Sequence, residues 1–155
     1  LMTDISKRFL NADLQSAVAE MLQKIGKFAC VDRAYVYVLD EPNQYYNCLY
    51  EWRNPAAEKF PSLYYQNGFS VENSPWMHRV LSAAQILNFE DIQTMPPEAA
   101  RDKAMYEADS TLSVLLIPML VNKKLIGFIG YDSVLQHKKW LEDDIKALEI
   151  CTEIL

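Results

Sequence analysis

Two long apolar runs separated by three polar residues constrain this chain more than any other feature. Ser113-Val114-Leu115-Leu116-Ile117-Pro118-Met119-Leu120-Val121 and Leu125-Ile126-Gly127-Phe128-Ile129-Gly130-Tyr131 flank Asn122-Lys123-Lys124. Neither run approaches the roughly 20 residues that a membrane-spanning helix needs. Their β-branched content and the tight polar turn predict an antiparallel hairpin. The two glycines point to close backbone approach or a bulge. Pro118 has no N–H, so its nitrogen must face an unpaired position.

A second hairpin lies upstream. Ala34-Tyr35-Val36-Tyr37-Val38-Leu39 is a β-branched and aromatic run, and Asp40-Glu41-Pro42-Asn43 turns it into another over 45–53. The first of these is apolar on both faces, so its strand must be covered on both sides. Alternation along the second puts Tyr46, Cys48, Tyr50 and Trp52 on one face. Helical periodicity frames the hairpins. Leu14, Val18, Met21, Leu22 and Ile25 predict a helix over 12–29, with Asn11 and Asp13 at its start. A shorter helical turn carrying Ile5, Phe9 and Leu10 precedes it. Ser74-Pro75-Trp76 opens a short helix, with Ser as cap and Pro in the first turn. Ile86-Leu87-Asn88-Phe89 reads as a short strand. Pro97-Glu98 opens a helix reaching about Asp109, with Ala99, Ala100 and Met105 inward. The last helix covers 140–155, with Leu141, Ile145, Leu148 and Cys151 on one face. Segment 54–70, holding Pro55, Pro61 and Gly68, is irregular. Hairpins alternating with helices imply an α+β fold, an antiparallel sheet faced by helices. No repeat or linker divides the chain, so 1–155 is read as one domain excised from a longer protein.

Composition excludes several function classes. The 155 residues are 50% hydrophobic, too apolar for disorder, and carry a formal net charge of −6. A nucleic-acid binder needs a basic face, and the basic clusters Lys7-Arg8 and His137-Lys138-Lys139 are short. An anionic membrane surface is equally disfavoured. Cys30, Cys48 and Cys151 are scattered and odd in number, which suits reduced thiols in the cytoplasm.

Catalytic and metal-binding patterns are missing from the sequence. His78 and His137 share no ligand spacing with cysteines or carboxylates, so no zinc site is expected and both read as surface histidines. Nothing places a base beside Cys48, which reads as a buried structural thiol. Gly127 and Gly130 lie within a strand and cannot cradle a phosphate. Glu142-Asp143-Asp144 sits where acids favour a helix start, and Glu90-Asp91 serves a turn. What stands out is an aromatic excess, 9 Tyr, 6 Phe and 3 Trp, dense on the first hairpin. Such residues line a pocket for a flat ligand or fill a core.

Several stretches, taken in order, carry a resemblance. They are Val31-Asp32-Arg33-Ala34-Tyr35, Tyr50-Glu51-Trp52, Pro75-Trp76, Leu87-Asn88-Phe89-Glu90-Asp91-Ile92 and Met95-Pro96-Pro97-Glu98-Ala99. The most specific is the last, 125–134 followed by Trp140, Glu142, Asp143, Asp144 and Ile145. The chain resembles a GAF domain of bacterial sensor kinases and diguanylate cyclases. The resemblance implies a central antiparallel sheet of about six strands. Terminal helices cover one face; short helices and loops cover a small-molecule pocket on the other. It implies a cytoplasmic regulatory module, without catalysis of its own, that relays a signal to an output domain. The bilin-binding branch attaches its chromophore to a loop cysteine. Cys30, Cys48 and Cys151 fall on a helix end, a strand and a helix, so no covalent bilin is expected. The cyclic-nucleotide signature is also missing.

The expected pocket lies between the first hairpin and segment 69–106. Tyr35, Tyr50 and Trp52 would come from the sheet, and Trp76 and Phe89 from its cover. These would stack on a ligand of unidentified chemistry, with Asn88 or tyrosine hydroxyls giving polar contacts. Two alternatives stand beside this reading. One is a ligand-free homodimerisation and relay module pairing through the terminal helices, with Ile150 and Ile154 as an apolar flank. The other is an enzyme reducing free methionine sulfoxide, which needs cysteines in a pocket-facing loop and finds only Cys48 on a strand.

Overall fold

Antiparallel pairing runs through the whole sheet. A computed structural model describes residues 12–154. Helix α1 (Ala12–Phe28) leads into β1 (Arg33–Asp40) and β2 (Tyr45–Arg53). A two-residue strand β3 (Phe69–Ser70), helix α2 (Pro75–Ser82), strand β4 (Leu87–Phe89) and helix α3 (Ala100–Ala108) follow. The hairpin β5 (Ser113–Val121) and β6 (Lys124–Ser133) precedes the last helix, α4 (Glu142–Ile154). The six strands lie in the order β3-β2-β1-β6-β5-β4, and each neighbouring pair is antiparallel. Strand β3 lies at an edge inside the segment expected to be irregular. The helical turn expected at Ile5, Phe9 and Leu10 lies outside the described residues, as does Asn11.

Two apolar layers explain why β1 and β6 are central. On one face Val36, Leu115, Ile129 and Tyr131 meet Val18, Leu22 and Ile25 of α1 and Leu148 of α4. Leu22, Leu115 and Ile129 are fully buried, and each such side chain contributes about 2 kcal/mol. On the other face Tyr35, Tyr37, Leu116 and Phe128 meet Met77 and Leu81 of α2. The period-2 pattern of β1 therefore feeds both layers, as its two-sided apolar character requires. The terminal helices share one face, and α2, α3 and the loops share the other.

One irregularity redirects β2. Pairing with β1 shifts register between Val36 and Tyr37, so Val36 faces Tyr50 and Tyr37 faces Cys48. Leu49 is the extra residue of a β-bulge, and a bulge reverses which face later side chains take. Tyr46 and Cys48 remain with the α2 layer. Leu49, Tyr50 and Trp52 pack with the α1 layer instead. The single face expected for Tyr46, Cys48, Tyr50 and Trp52 is thus corrected. Trp52 lies so close to α1 that a Cβ added at Gly26 would overlap its ring. Trp52→Ala is expected to lower stability by about 2–3 kcal/mol, less than a fully buried tryptophan because Trp52 is half-buried. Urea unfolding measures this.

Three local details also differ from expectation. Ser74 caps nothing with its side chain; its hydroxyl donates to the Ser70 carbonyl at 3.0 Å. Asp102 of α3 takes the capping role, accepting from Trp76 N at 3.2 Å and Met77 N at 2.9 Å. The first turn at Pro97–Ala99 is a 3-10 helix, and Ala100 is exposed rather than inward. Trp140 is buried ahead of α4, while Leu141 is 59% exposed.

Candidate functional site

A cavity of about 40 Å³ remains between the sheet and the α2–α3 cover. Aromatic side chains leave it small. Tyr37 and Phe128 stack with centroids 5.2 Å apart and planes 13° from parallel. Tyr35 meets Tyr37 edge-on at 5.5 Å and 86°, and Phe69 packs on Tyr37 at 5.2 Å. These contacts sit at the separations that aromatic pairs prefer. The remaining space holds about three to four water-sized groups. Met105 and Tyr106 of α3 close it from above, and Ser62 and Tyr64 of the 54–68 segment close it from the side.

A buried polar network ties this segment to the sheet. Arg33, at the start of β1, has a fully buried side chain. Its Nη2 donates to Asp132 Oδ2 at 2.9 Å, Thr111 Oγ1 at 2.9 Å and the Asp109 carbonyl at 3.0 Å. Its Nη1 donates to the Phe60 carbonyl at 3.2 Å. Burial opposes the Arg33 charge, but Asp132 and Asp109 outweigh it and hold its pKa above the ordinary value. Tyr35 donates its hydroxyl to Asp132 Oδ1 at 2.6 Å. Asp109 in turn accepts from Leu63 N at 2.7 Å and Ser62 Oγ at 2.9 Å. One guanidinium fork thus joins β1, β6, the end of α3 and the covering segment. Asp102, Asp109 and Asp132 line the cavity.

Glu51 sits beside this network on β2, opposite Tyr35 in the register. Burial pushes its carboxyl up to about 7, against the pull of Arg33. The folded protein then holds this proton more tightly than the unfolded chain does. Stability consequently falls as pH rises from the ordinary carboxylate range through 7. Glu51→Gln is expected to stabilise the domain by about 1–2 kcal/mol at pH 8 and to have little effect at pH 4.5. The bare shift at about 1.4 kcal/mol per unit gives more, but Glu51 is half-buried and partly screened. Thermal melts of both proteins across that range check the sign.

The six residues expected to form the pocket do not come together. Tyr35 lines the cavity. Tyr50 and Trp52 lie on the opposite face of the sheet, against α1, because of the bulge. Trp76 and Phe89 touch each other at 5.7 Å and pack on the edge of the same core without lining the cavity. Asn88 is exposed at mid-strand on edge strand β4. Sequence reasoning missed Asp102, Asp109 and Asp132, Tyr37 and Phe128. Tyr37 and Phe128 were legible as the same-face neighbours of Tyr35 and of Gly130. Asp132 stood inside the most specific stretch of the resemblance. The two acids of the α3 region gave no signal, since exposed helical acids look the same.

The remaining polar groups bear on chemistry. Cys48 packs on the cavity-side core, and burial pushes its thiol well up, which makes it a poor nucleophile. His78 is half-buried, with Nδ1 2.7 Å from the Tyr46 hydroxyl, rather than at the surface. His137 is exposed and lies 3.7 Å from Asp91. Among the described residues no cluster of His, Cys, Asp and Glu could hold a metal ion. No described helix is long and apolar enough to cross a membrane. A covalently held tetrapyrrole does not fit these residues: no cysteine lines the cavity, and its volume is far below the several hundred Å³ of organic-cofactor pockets.

Comparison with known proteins agrees with this architecture. The GAF-domain structure of PixJ from Thermosynechococcus elongatus, in its blue-light-absorbing form, superposes with a TM-score of 0.71 at 16% identity. It covers 92% of this chain and 82% of that one. A GAF domain/HD domain protein from Geobacter sulfurreducens gives 0.69 at 14% identity, covering 92% and 88%. The methanogenesis regulatory histidine kinase FilI of Methanothrix harundinacea (strain 6Ac) is 23% identical over 147 residues. The match takes in 91% of this chain and 16% of that kinase, so the chain spans a small part of its relative. Residues 13–155 match the GAF domain family, and the chain belongs to it.

Proposed function

We propose that this GAF domain is the sensory module of a cytoplasmic signalling protein, of the sensor-kinase or cyclic-di-GMP type. A small molecule in the cavity sets a state that α1 and α4 pass to an output domain. One observation carries this reading: the sheet that builds the cavity on one face seats the terminal helices on the other. Tyr35 and Tyr37 of β1 and Phe128 of β6 face the cavity, while Val36 and Ile129 between them face α1 and α4. A shift of β1 at the cavity is felt directly by α1, which packs on β1 and β2, and a shift of β5 by α4, which packs on β5. Native mass spectrometry of the purified chain tests for a retained small molecule, and thermal melts against small-metabolite panels test for binding. A chain that retains nothing and whose melt responds to no compound sinks the reading.

A ligand-free dimerisation module is the second reading. It is favoured by the small cavity and by Phe28, Leu141 and Ile150, which are 71%, 59% and 60% exposed on or beside the terminal helices. The side chain of Ile154 lies outside the described residues. Sedimentation over a wide concentration range separates the two. A chain that stays monomeric throughout counts against the second.

A further inference from the structure

The chemistry of the cavity wall narrows what it could accept. None of the described residues lining it is Lys, Arg or His, while Asp102, Asp109 and Asp132 all reach it. Arg33 shares its charge between Asp109 and Asp132, and Arg79, which does not line the cavity, is the cation that bears on Asp102. Among the described residues, the hydrogen bonds to the Asp102 side chain come from backbone N–H groups in the first turn of α2. Three carboxylates in the lining and no cation there leave the wall electronegative, and an anionic ligand would meet repulsion on entry. The rest of the wall is aromatic, from Tyr35, Tyr37, Phe69, Tyr106 and Phe128. Tyrosine and phenylalanine rings attract cations through their negative faces, more strongly where water is excluded. Among the described residues the one hydrogen bond of the Tyr106 hydroxyl is a weak contact with Met77 Sδ at 3.9 Å, so the hydroxyl oxygen can accept a stronger donor. The volume limits the guest to about four heavy atoms.

We propose that the cavity binds a small organic ammonium ion, in the size range from methylammonium to trimethylammonium. This rests on the sensory reading above and gives it a ligand class. The cation's N–H or N–CH groups would face the carboxylates, and its alkyl part would sit against the rings. A neutral molecule of the same shape would lose the charge contribution. A carboxylate or phosphate would be repelled.

The test uses the 155-residue chain at pH 7 and constant ionic strength. Isothermal titration and thermal melts are run with methylammonium and trimethylammonium chloride. The controls are methanol and isopropanol as neutral shapes and formate and acetate as anions. The expected result is saturable binding of an ammonium ion, at least tenfold tighter than its neutral counterpart, with no response to the anions. Leu116→Phe, which adds bulk from β5 into the cavity, should abolish that binding, and Tyr106→Phe should weaken it severalfold while leaving the far-UV spectrum unchanged. Binding of a neutral or anionic compound in place of the ammonium ions overturns the ammonium assignment and leaves the sensory reading standing. Absence of any binding, or ammonium binding that survives Leu116→Phe unchanged, overturns the cavity as the ligand site altogether.

Discussion

Arg33→Met is expected to lower stability by about 3–5 kcal/mol, the loss typical of removing one partner from a buried ion pair. Nothing else among the described residues can replace what it does. Its fork satisfies Asp132, Thr111 and two backbone carbonyls at once. Without it, Asp132 keeps only the hydroxyls of Tyr35 and Thr111 as side-chain donors, and Asp109 loses its counter-ion. Arg33→Lys should recover less than half of the loss, because an ammonium cannot present a planar fork to partners on different elements. The double change Arg33→Met with Asp132→Leu should be milder than the single one, since it removes the stranded charge as well. Chemical denaturation gives these energies. Amide exchange adds a local readout. The Leu63 amide, held by Asp109, should exchange faster in Arg33→Met relative to global unfolding. An Arg33→Met variant whose stability stays within about 1 kcal/mol of the wild type, far short of the loss expected for a buried pair, would show that the network does not hold the 54–68 segment.

The fold was largely legible because its strands announce themselves by period. Strands β2 and β5 fall where alternation and β-branched runs put them, and β1 and β6 differ by only a few end residues. The candidate site was far less legible, and Tyr50 and Trp52 show why. Alternation assigns a residue to a face only while the strand is regular, and one bulge residue, Leu49, moved both tyrosine and tryptophan to the α1 side. A bulge depends on the partner strand, so the local sequence of β2 does not announce it. Strand β3 escaped notice for a similar reason: two residues show no period, and Phe69–Ser70 pairs only because Tyr45 and Tyr46 present an open edge. The Ser74 cap failed differently. The sequence offers a local cap, but a carboxylate 26 residues beyond Trp76 competes for the same N–H groups and wins them. The polar residues of the candidate site come together by tertiary proximity. Local patterns can only find those that lie, like Asp132, inside a recognisable stretch.

Gly127→Ala is expected to cost about 3 kcal/mol, the upper end of overpacking penalties, and the reason lies in what surrounds each glycine of β6. A Cβ at Gly127 would collide with the carbonyl oxygen of Tyr37 on the neighbouring strand. That oxygen belongs to the backbone at the centre of the sheet, paired on one side with β6 and on the other with β2. It cannot step aside without parting a ladder. Gly130 is a different case. A Cβ there would meet the ring of Tyr35 and the end of Leu116, both side chains on the cavity face. The Tyr35 ring is tethered to Asp132 through its hydroxyl, so Gly130→Ala should press that ring toward the cavity and strain the tether. The expected cost is smaller, about 1–2 kcal/mol, but it falls on the cavity. The pair therefore separates fold from site. Gly127→Ala should lower the unfolding midpoint more and leave the affinity of a surviving folded fraction for a cavity ligand close to wild type. Gly130→Ala should lower the midpoint less and weaken that affinity more. Unfolding curves and ligand titrations on the two variants decide it, and equal effects of both on binding would mean that the β6 glycines serve the sheet alone.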